Sequence, residues 1–171
     1  MDININNIKL GVIGCGKMAS AILGGVVKNN FLKSENIFLY DINSKISQNL
    51  ANEYGFCAKE SISELINSSN IVLLATKPFV INDILSEIKN NYNNQLILSI
   101  LAGVKIEKYL SFIDNIKIIR IMPNTPALIN CGMSAICPSD NTSQEDIDFA
   151  YNFMKNCGEV ICTTEDKMDI I

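Results

Sequence analysis

At 171 residues, with a net charge of −4 and a pI near 4.8, the chain has the length of one globular domain and lacks the basic balance of nucleic-acid-binding proteins. It contains no apolar run of the ~20 residues that a membrane span needs, so we expect no membrane partner. Six cysteines without a C-x-x-C pair, and no histidine, predict no metal site and reduced, mostly buried thiols. Residues 1–7 resemble neither a signal nor a transit peptide, which predicts a cytoplasmic protein.

The first element is an apolar strand that runs through a glycine-rich turn into a helix. Residues 8–13 are apolar and β-branched, the letters GCGKMA follow, and a small apolar helix is predicted over residues 18–27. Gly14 permits the sharp turn, Gly16 allows a pyrophosphate to approach the backbone, and Ala19 lets the helix pack closely on the strand. The spacing predicts dinucleotide binding, and the alternative is an ordinary strand-to-helix turn.

The second predicted strand, residues 36–40, ends at an acidic side chain. Asp41 lies about 25 residues after Gly16, where a carboxylate can accept hydrogen bonds from an adenosine ribose. A carboxylate there favours NADH, whereas the following residues 43–45, Asn-Ser-Lys, are suited to the 2′-phosphate of NADPH, so both cofactors stay open. The alternative for Asp41 is a solvated turn residue.

Strands and helices alternate along the rest of the chain. This order predicts an α/β fold with a Rossmann-type doubly wound, mostly parallel sheet and helices on both faces. Further strands are predicted at residues 56–58, 70–75, 95–100, 116–121, 131–137 and 159–162. Two of the helices have predicted caps at Ser44 and Ser143, with predicted inner faces at Ile46, Leu50 and Tyr54, and at Ile147, Ala150, Tyr151 and Met154.

Small or polar residues follow three of the predicted strands. In parallel sheets ligands bind beyond the carboxyl ends of the strands, so we expect residues 75–78 to face a cofactor. The pair Ala102-Gly103 lies at the equivalent place, and a solvated lysine is an equally good interpretation of Lys77. Two prolines enclosing Asn124 and Thr125 predict a stiff loop with exposed polar groups.

Four motifs, in order and spacing, resemble the N-terminal domain of pyrroline-5-carboxylate reductases. They are IGCGKMASAILGG, ATKP, SILAGV and IRIMPNTPALINCGMSAI, and together the resemblance covers nearly the whole chain. The resemblance implies an NAD(P)H site, with Asn124 and Thr125 near the nicotinamide end. Asp41 departs from the small or hydroxyl residues that this family often has there. The implied site residues are Ile13, Gly14, Cys15, Gly16, Lys17, Met18, Asp41, Ala75, Thr76, Lys77, Pro78, Leu101, Ala102, Asn124 and Thr125.

The resemblance also implies a reaction, namely reduction of the imine 1-pyrroline-5-carboxylate to L-proline by hydride transfer from C4 of NADPH or NADH. Such an imine is protonated on nitrogen and accepts hydride at carbon, which suits a chain without histidine. The family continues into a helical second domain that carries dimerisation and most substrate contacts. Residues 1–163 are therefore expected to form the NAD(P)-binding domain and residues 164–171 to start the connecting helix, giving a chain that binds cofactor but makes no proline alone.

Two other functions remain as alternatives at this point. A β-hydroxyacid or deazaflavin-linked dehydrogenase would share the nucleotide domain, but neither leads us to expect the letters MPNTP after a strand. A stand-alone NAD(P)-sensing module would need no second domain.

Overall fold

An eight-stranded sheet with helices on both faces organises the described part of the chain. The computed structural model describes residues 7–129 and 131–170. The expectation that the N-terminus is neither a signal nor a transit peptide falls on residues 1–6, and part of the predicted last helix falls on Ile171, so both lie outside the described residues. The strand order is β3-β2-β1-β4-β5-β6-β7-β8. The elements are β1 (Leu10–Ile13), α1 (Lys17–Lys28), β2 (Ile37–Tyr40), α2 (Ser44–Tyr54), β3 (Cys57–Ala58), α3 (Ile62–Ser68), β4 (Ile71–Leu74), α4 (Ile81–Asn91), β5 (Leu96–Ser99), α5 (Ile106–Leu110), β6 (Lys117–Pro123), β7 (Gly132–Pro138), α6 (Gln144–Lys155) and β8 (Gly158–Cys162), with short 3₁₀ helices at Ser34–Asn36, Pro78–Val80, Thr125–Ile129 and Glu165–Ile170.

The central strands are short apolar runs that are buried on both faces. Every residue of β1, β4 and β5 is buried, which explains why these segments, apart from Ser99, are apolar or glycine and show no alternation. β1 pairs in parallel with β2 and β4, so Ile13 lies level with Tyr40 on one side and Leu74 on the other. The carboxyl ends of these strands therefore lie at the same height along one edge of the sheet.

Each face of the sheet carries its own apolar cluster. On one face Leu23 of α1 and Phe153 of α6 belong to the same buried cluster as Leu39 of β2. On the other face α3, α4 and α5 supply buried side chains such as Leu85 and Tyr109. Full burial of each such side chain contributes roughly 1.5–3 kcal/mol. Because helices cover both faces of a mostly parallel sheet, the predicted Rossmann-type doubly wound class is confirmed.

The last two strands run opposite to the first six. β7 pairs antiparallel with β6, and β8 pairs in parallel with β7. Gly132 and Gly158 lie side by side where these strands begin, and a Cβ on Gly158 would lie 1.9 Å from the carbonyl oxygen of Gly132. Glycine is therefore required where the two strands approach, and the predicted returning strand over residues 131–137 is confirmed.

The predicted inner faces of α2 and α6 were partly wrong. In α2 the buried residues are Ser47, Leu50 and Ala51, whereas Ile46 is 41% exposed. Ser47 tolerates burial because its hydroxyl donates to the carbonyl of Ser44 at 3.0 Å. The cap of α2 is Asn43, not Ser44: its Oδ1 accepts the Lys45 N–H at 3.3 Å.

In α6 the aromatic residues decide which face is buried. Phe149 and Phe153 pack against Phe31, with ring centroids 5.8 and 6.4 Å apart, and Tyr151 is left 37% exposed. The predicted cap is confirmed, since the Ser143 hydroxyl accepts the Asp146 N–H at 3.1 Å and the Asp146 carboxylate accepts the Ser143 N–H at 2.9 Å.

Half of the cysteines are exposed, which corrects the prediction of mostly buried thiols. All six are free, with Cys15, Cys137 and Cys157 buried and Cys57, Cys131 and Cys162 exposed. In residues 7–129 and 131–170 no helix is long and apolar enough to cross a membrane. The same residues hold no cluster of three or more metal-ligating side chains.

Candidate nucleotide-binding site

The turn between β1 and α1 is held tightly against β2 and β4. Gly14 has φ +93°, and its N–H donates to the carbonyl of Tyr40 at 2.8 Å. A Cβ on Gly14 would lie 2.8 Å from the carbonyl oxygen of Ala75. Glycine is required here both by the backbone angle and by the closeness of the β4 end. The turn thus lies at the crevice between β1 and β4, where the sheet changes its winding direction.

Gly16 opens the first turn of α1 to a ligand. It is the N-cap residue, no side chain caps the helix, and a Cβ built on it meets nothing within 4 Å. The first turn carries no acidic residue, and the exposed Lys17 begins it. Backbone N–H groups and the positive end of a twelve-residue helix therefore face open space, an arrangement that favours a phosphate group.

Asp41 binds the glycine-rich turn directly. Its Oδ2 accepts the N–H of Cys15 at 2.8 Å, and its Oδ1 accepts the N–H of Asn43 at 2.9 Å. The carboxylate therefore links the ends of β1 and β2 and is half-buried. Each carboxylate oxygen has a second acceptor position, so the contacts leave room for ribose hydroxyls.

The Cys15 thiol is buried beneath this turn. Burial, together with the negative charge of Asp41, raises the pKa of Cys15 to about 12. The Sγ atom lies 3.7 Å from the carbonyl oxygen of Tyr40. The thiol is therefore a packed, protonated group and offers no nucleophile at neutral pH.

The end of β4 brings an unsatisfied hydroxyl to the crevice. The Oγ1 atom of Thr76 is buried and finds no hydrogen-bond partner among the described residues. Its Cγ2 would lie 2.9 Å from a Cβ on Gly14, so it adjoins the glycine-rich turn. Lys77 and Pro78 are exposed, and Pro78 begins a 3₁₀ helix. A buried hydroxyl without a partner is costly, and a bound polar group would satisfy it.

The ends of β5 and β6 supply one exposed small residue and one exposed polar pair. Ala102 is exposed, whereas the Leu101 side chain lies in the core. Asn124 and Thr125 are exposed, but the Asn124 Oδ1 accepts the Met133 N–H at 2.9 Å. Asn124 therefore joins β6 to β7, and the stiff loop that the two prolines predicted is shorter than expected because β6 continues to Pro123.

The predicted site residues lie along one sheet edge, but not all of them present a side chain there. The five strands β2, β1, β4, β5 and β6 are parallel neighbours, so the segments after them form a continuous edge. Ile13, Gly14, Cys15 and Leu101 are buried and offer no side chain to a ligand. The exposed or half-buried positions are Gly16, Lys17, Met18, Asp41, Ala75, Thr76, Lys77, Pro78, Ala102, Asn124 and Thr125.

The sequence analysis did not single out two exposed apolar side chains in the turns after β2 and β4. Ile42, directly after Asp41, is 95% exposed, and Phe79, directly after Pro78, is 84% exposed. Large apolar side chains this exposed are suited to stacking against a flat ring. The sequence does show an apolar residue in each of the two turns that follow β2 and β4, and this could have indicated an exposed apolar contact.

A model of one protein family matches the first part of this chain. The family model for "NADP oxidoreductase coenzyme F420-dependent" proteins matches residues 9–103, which is more than half of the chain. The chain belongs to this family. The match includes the glycine-rich turn, Asp41 and the ends of β4 and β5, and it stops before Asn124.

The resemblance to pyrroline-5-carboxylate reductases is also confirmed. The Escherichia coli (strain K12) enzyme of that name is 36% identical over 153 residues, which cover 88% of this chain and 57% of the relative. A crystal structure of Plasmodium falciparum pyrroline carboxylate reductase with NADP bound gives a TM-score of 0.87 at 31% identity, covering 96% of this chain and 61% of that one. A Coxiella burnetii pyrroline-5-carboxylate reductase gives a TM-score of 0.90 at 23% identity, with 95% and 62% coverage, and supports the fold. The chain thus spans about 60% of the length of these relatives.

Proposed function

We propose that the chain binds NADPH or NADH in the crevice between β1 and β4. The observation that carries this proposal is the likeness, at 31% identity and a TM-score of 0.87, to a reductase structure with NADP bound. Three features of the crevice fit a dinucleotide: the open N-terminus of α1 at Gly16, the carboxylate of Asp41, and the unsatisfied hydroxyl of Thr76.

Each part of the cofactor has a matching group in this arrangement. The backbone at Gly16 would hold the pyrophosphate, with Lys17 adding positive charge at the helix start. Asp41 would hold the adenosine ribose, and the exposed Ile42 and Phe79 would stack against the base. Towards β5 and β6, Ala102 and Thr125 lie on the nicotinamide side of the crevice.

We further propose that the whole protein reduces 1-pyrroline-5-carboxylate to L-proline. The support is the name and the 36% identity of the Escherichia coli relative. A nicotinamide bound in the crevice would supply the hydride for reduction of the imine carbon. The residues of this chain bind and orient the cofactor, and no histidine is present to move a proton. Because the relatives are longer, we assign substrate contacts and homo-oligomer formation to segments beyond these 171 residues.

The family description favours a second candidate, in which the hydride partner is a deazaflavin coenzyme. The matched range, residues 9–103, contains the nucleotide fold that both reactions share. The pyrroline-5-carboxylate reductases match 88% or more of the chain and so extend past the MPNTP letters, which is why we place the imine reduction first.

The experiment begins with fluorescence titrations of the 171-residue chain with NADPH and with NADH. Saturable binding of at least one nucleotide below millimolar concentration is expected, and no binding of either would contradict the cofactor proposal. The full-length protein is then assayed with NADPH plus 1-pyrroline-5-carboxylate and, separately, with NADP plus reduced deazaflavin. Proline formation supports the first candidate, and deazaflavin oxidation alone supports the second. The 171-residue chain is expected to bind but to form no proline.

A further inference from the structure

Glu165 provides the missing cap of a helix that begins 59 residues earlier in the chain. Its Oε1 accepts the N–H of Ile106, the first residue of α5, at 2.7 Å. The N-cap residue of α5, Lys105, makes no side-chain cap hydrogen bond. An N–H at a helix start needs an acceptor, and here the acceptor comes from the 3₁₀ helix Glu165–Ile170 after β8.

The same carboxylate pairs with a buried arginine. Arg120 in β6 is 2% exposed, and its Nη1 lies 2.8 Å from Oε1 of Glu165. A guanidinium at this depth needs opposite charge close by. Glu165 is itself half-buried, so its carboxylate is held between the guanidinium and the helix start. One side chain thus connects the segment after β8 to both β6 and α5.

A second polar contact holds the other end of the loop between β5 and α5. The Leu101 N–H donates to the Ser99 hydroxyl at 3.3 Å, and that hydroxyl lies 2.5 Å from the hydroxyl of Tyr109. Ser99 is the direct sheet neighbour of Arg120. Residues 101–106 are therefore fixed at the first end through Ser99 and at the last end through Glu165.

The 3₁₀ helix that carries Glu165 is also anchored by packing. Met168 is fully buried in a small cluster with Ala135 and Cys137 of β7. Substitution of Glu165 alone therefore leaves an apolar anchor in place. The local effect of losing the carboxylate can be measured without detaching the whole segment.

We propose that Glu165 is a positioning residue for the nucleotide site, because its carboxylate holds the loop of residues 101–105 in place at the carboxyl end of β5. This inference rests on the proposed function, in which Ala102 lies on the nicotinamide side of the crevice. Glu165 does not contact the cofactor; it acts through the N-terminus of α5. A loosened loop would weaken contacts at the nicotinamide half and leave the adenosine half unchanged.

The first test is amide hydrogen exchange of the free 171-residue chain, which needs no nucleotide. Glu165→Ala is expected to speed exchange in peptides covering residues 100–110 about tenfold, while the β1 and β2 peptides keep their wild-type rates. Glu165→Gln retains an oxygen for the Ile106 N–H, so it should give a smaller increase. Asp166→Asn, at the exposed next position, is the matched control and should change nothing. Unchanged exchange at residues 100–110 in both Glu165 variants, or faster exchange throughout the chain, would overturn the proposal.

The second test compares NADPH with 2′,5′-ADP, which lacks the nicotinamide half. For Glu165→Ala we expect the Kd for NADPH to rise about fivefold and the Kd for 2′,5′-ADP to stay within about twofold of wild type, because only the loop has lost its preorganised position. Equal weakening of both ligands would overturn the positioning role. If wild-type protein binds neither of these ligands nor NADH, the proposed function fails, and the exchange experiment still decides whether Glu165 holds the loop.

Discussion

The N–H of Cys15 donates a 2.8 Å hydrogen bond to Oδ2 of Asp41 and so joins the turn after β1 to the end of β2. The carboxylate also accepts the Asn43 N–H, at 2.9 Å. Asp41, which we expect to select between NADH and NADPH, thus also holds the glycine-rich turn in place. We therefore expect its substitution to change both nucleotide affinity and the free energy of unfolding.

Asp41→Ser should change cofactor preference at a cost in stability. Loss of the carboxylate removes the charge that repels a 2′-phosphate, so the ratio of NADPH to NADH affinity should rise about tenfold. Loss of hydrogen bonds to a charged acceptor should lower the free energy of unfolding by about 1–3 kcal/mol. Fluorescence titration and urea unfolding measure the two effects. Asp114→Ser, at an exposed turn position, is the control, and an unchanged ratio in Asp41→Ser would rule out ribose contact by this carboxylate.

Gly14→Ala and Gly16→Ala should separate folding from binding. At Gly14, φ is +93° and the added methyl meets backbone atoms of Ala75 at 2.8 Å, so we expect a loss of about 2–4 kcal/mol in the free energy of unfolding. At Gly16 the added methyl meets nothing within 4 Å, so stability should stay within about 0.5 kcal/mol of wild type. The same methyl lies where a phosphate would approach, and nucleotide affinity should fall at least about tenfold. Wild-type affinity in Gly16→Ala would place the pyrophosphate elsewhere.

Thr76→Val should stabilise the free protein and weaken nucleotide binding. The substitution removes a buried hydroxyl that lacks a partner among the described residues, which should raise the free energy of unfolding by about 1 kcal/mol. Thr142→Val is the matched control, because its hydroxyl donates to the carbonyl of Ser139 at 2.6 Å and its removal should be destabilising. Urea unfolding of both variants, followed by NADPH titration, checks the pair. Equal destabilisation of the two variants would mean that the Thr76 hydroxyl has a partner.

Three of the six thiols should react with a disulfide reagent in native protein at pH 8. Cys57, Cys131 and Cys162 are exposed, whereas Cys15, Cys137 and Cys157 are buried. Burial raises the pKa of Cys15 to about 12 and that of Cys157 to about 11, so their thiolate fractions are very small at this pH. Absorbance at the end of the rapid phase counts the reactive thiols, and six should appear after unfolding. Rapid modification of Cys15, identified by mass spectrometry, would contradict the packing of the turn.

Much of the fold could be predicted from local patterns because the central strands are buried on both faces. The short apolar runs in β1, β4 and β5 are typical of strands that are covered by helices on both faces of a sheet. Helix faces were less predictable where two apolar choices competed. In α6 the ring contacts of Phe149 and Phe153 with Phe31 determine which face of the helix is buried. Contacts between segments this far apart cannot be predicted from the spacing of residues within one helix.

The geometry of the turn after β1 was predictable from its glycines and from the acidic residue at the end of β2, since backbone angles and strand ends restrict those positions. The two hydrogen bonds accepted by Asp41 depend on the spatial meeting of β1 and β2, which spacing alone does not describe. Likewise, Ile42 and Phe79 look like ordinary apolar residues in the sequence, and only the fold shows that both side chains are exposed.

The position of Glu165 in the chain has a consequence for synthesis. α5 begins at Ile106, and its capping carboxylate is translated 59 residues later. Domains fold while the chain is still emerging from the ribosome, at about 5–20 residues per second. For several seconds, therefore, the nascent protein holds β1 to β6 with an uncapped α5 and without Glu165 beside Arg120. During this interval we expect the loop after β5 to be more accessible to chaperones and proteases, until residue 165 has emerged and reached Ile106 and Arg120.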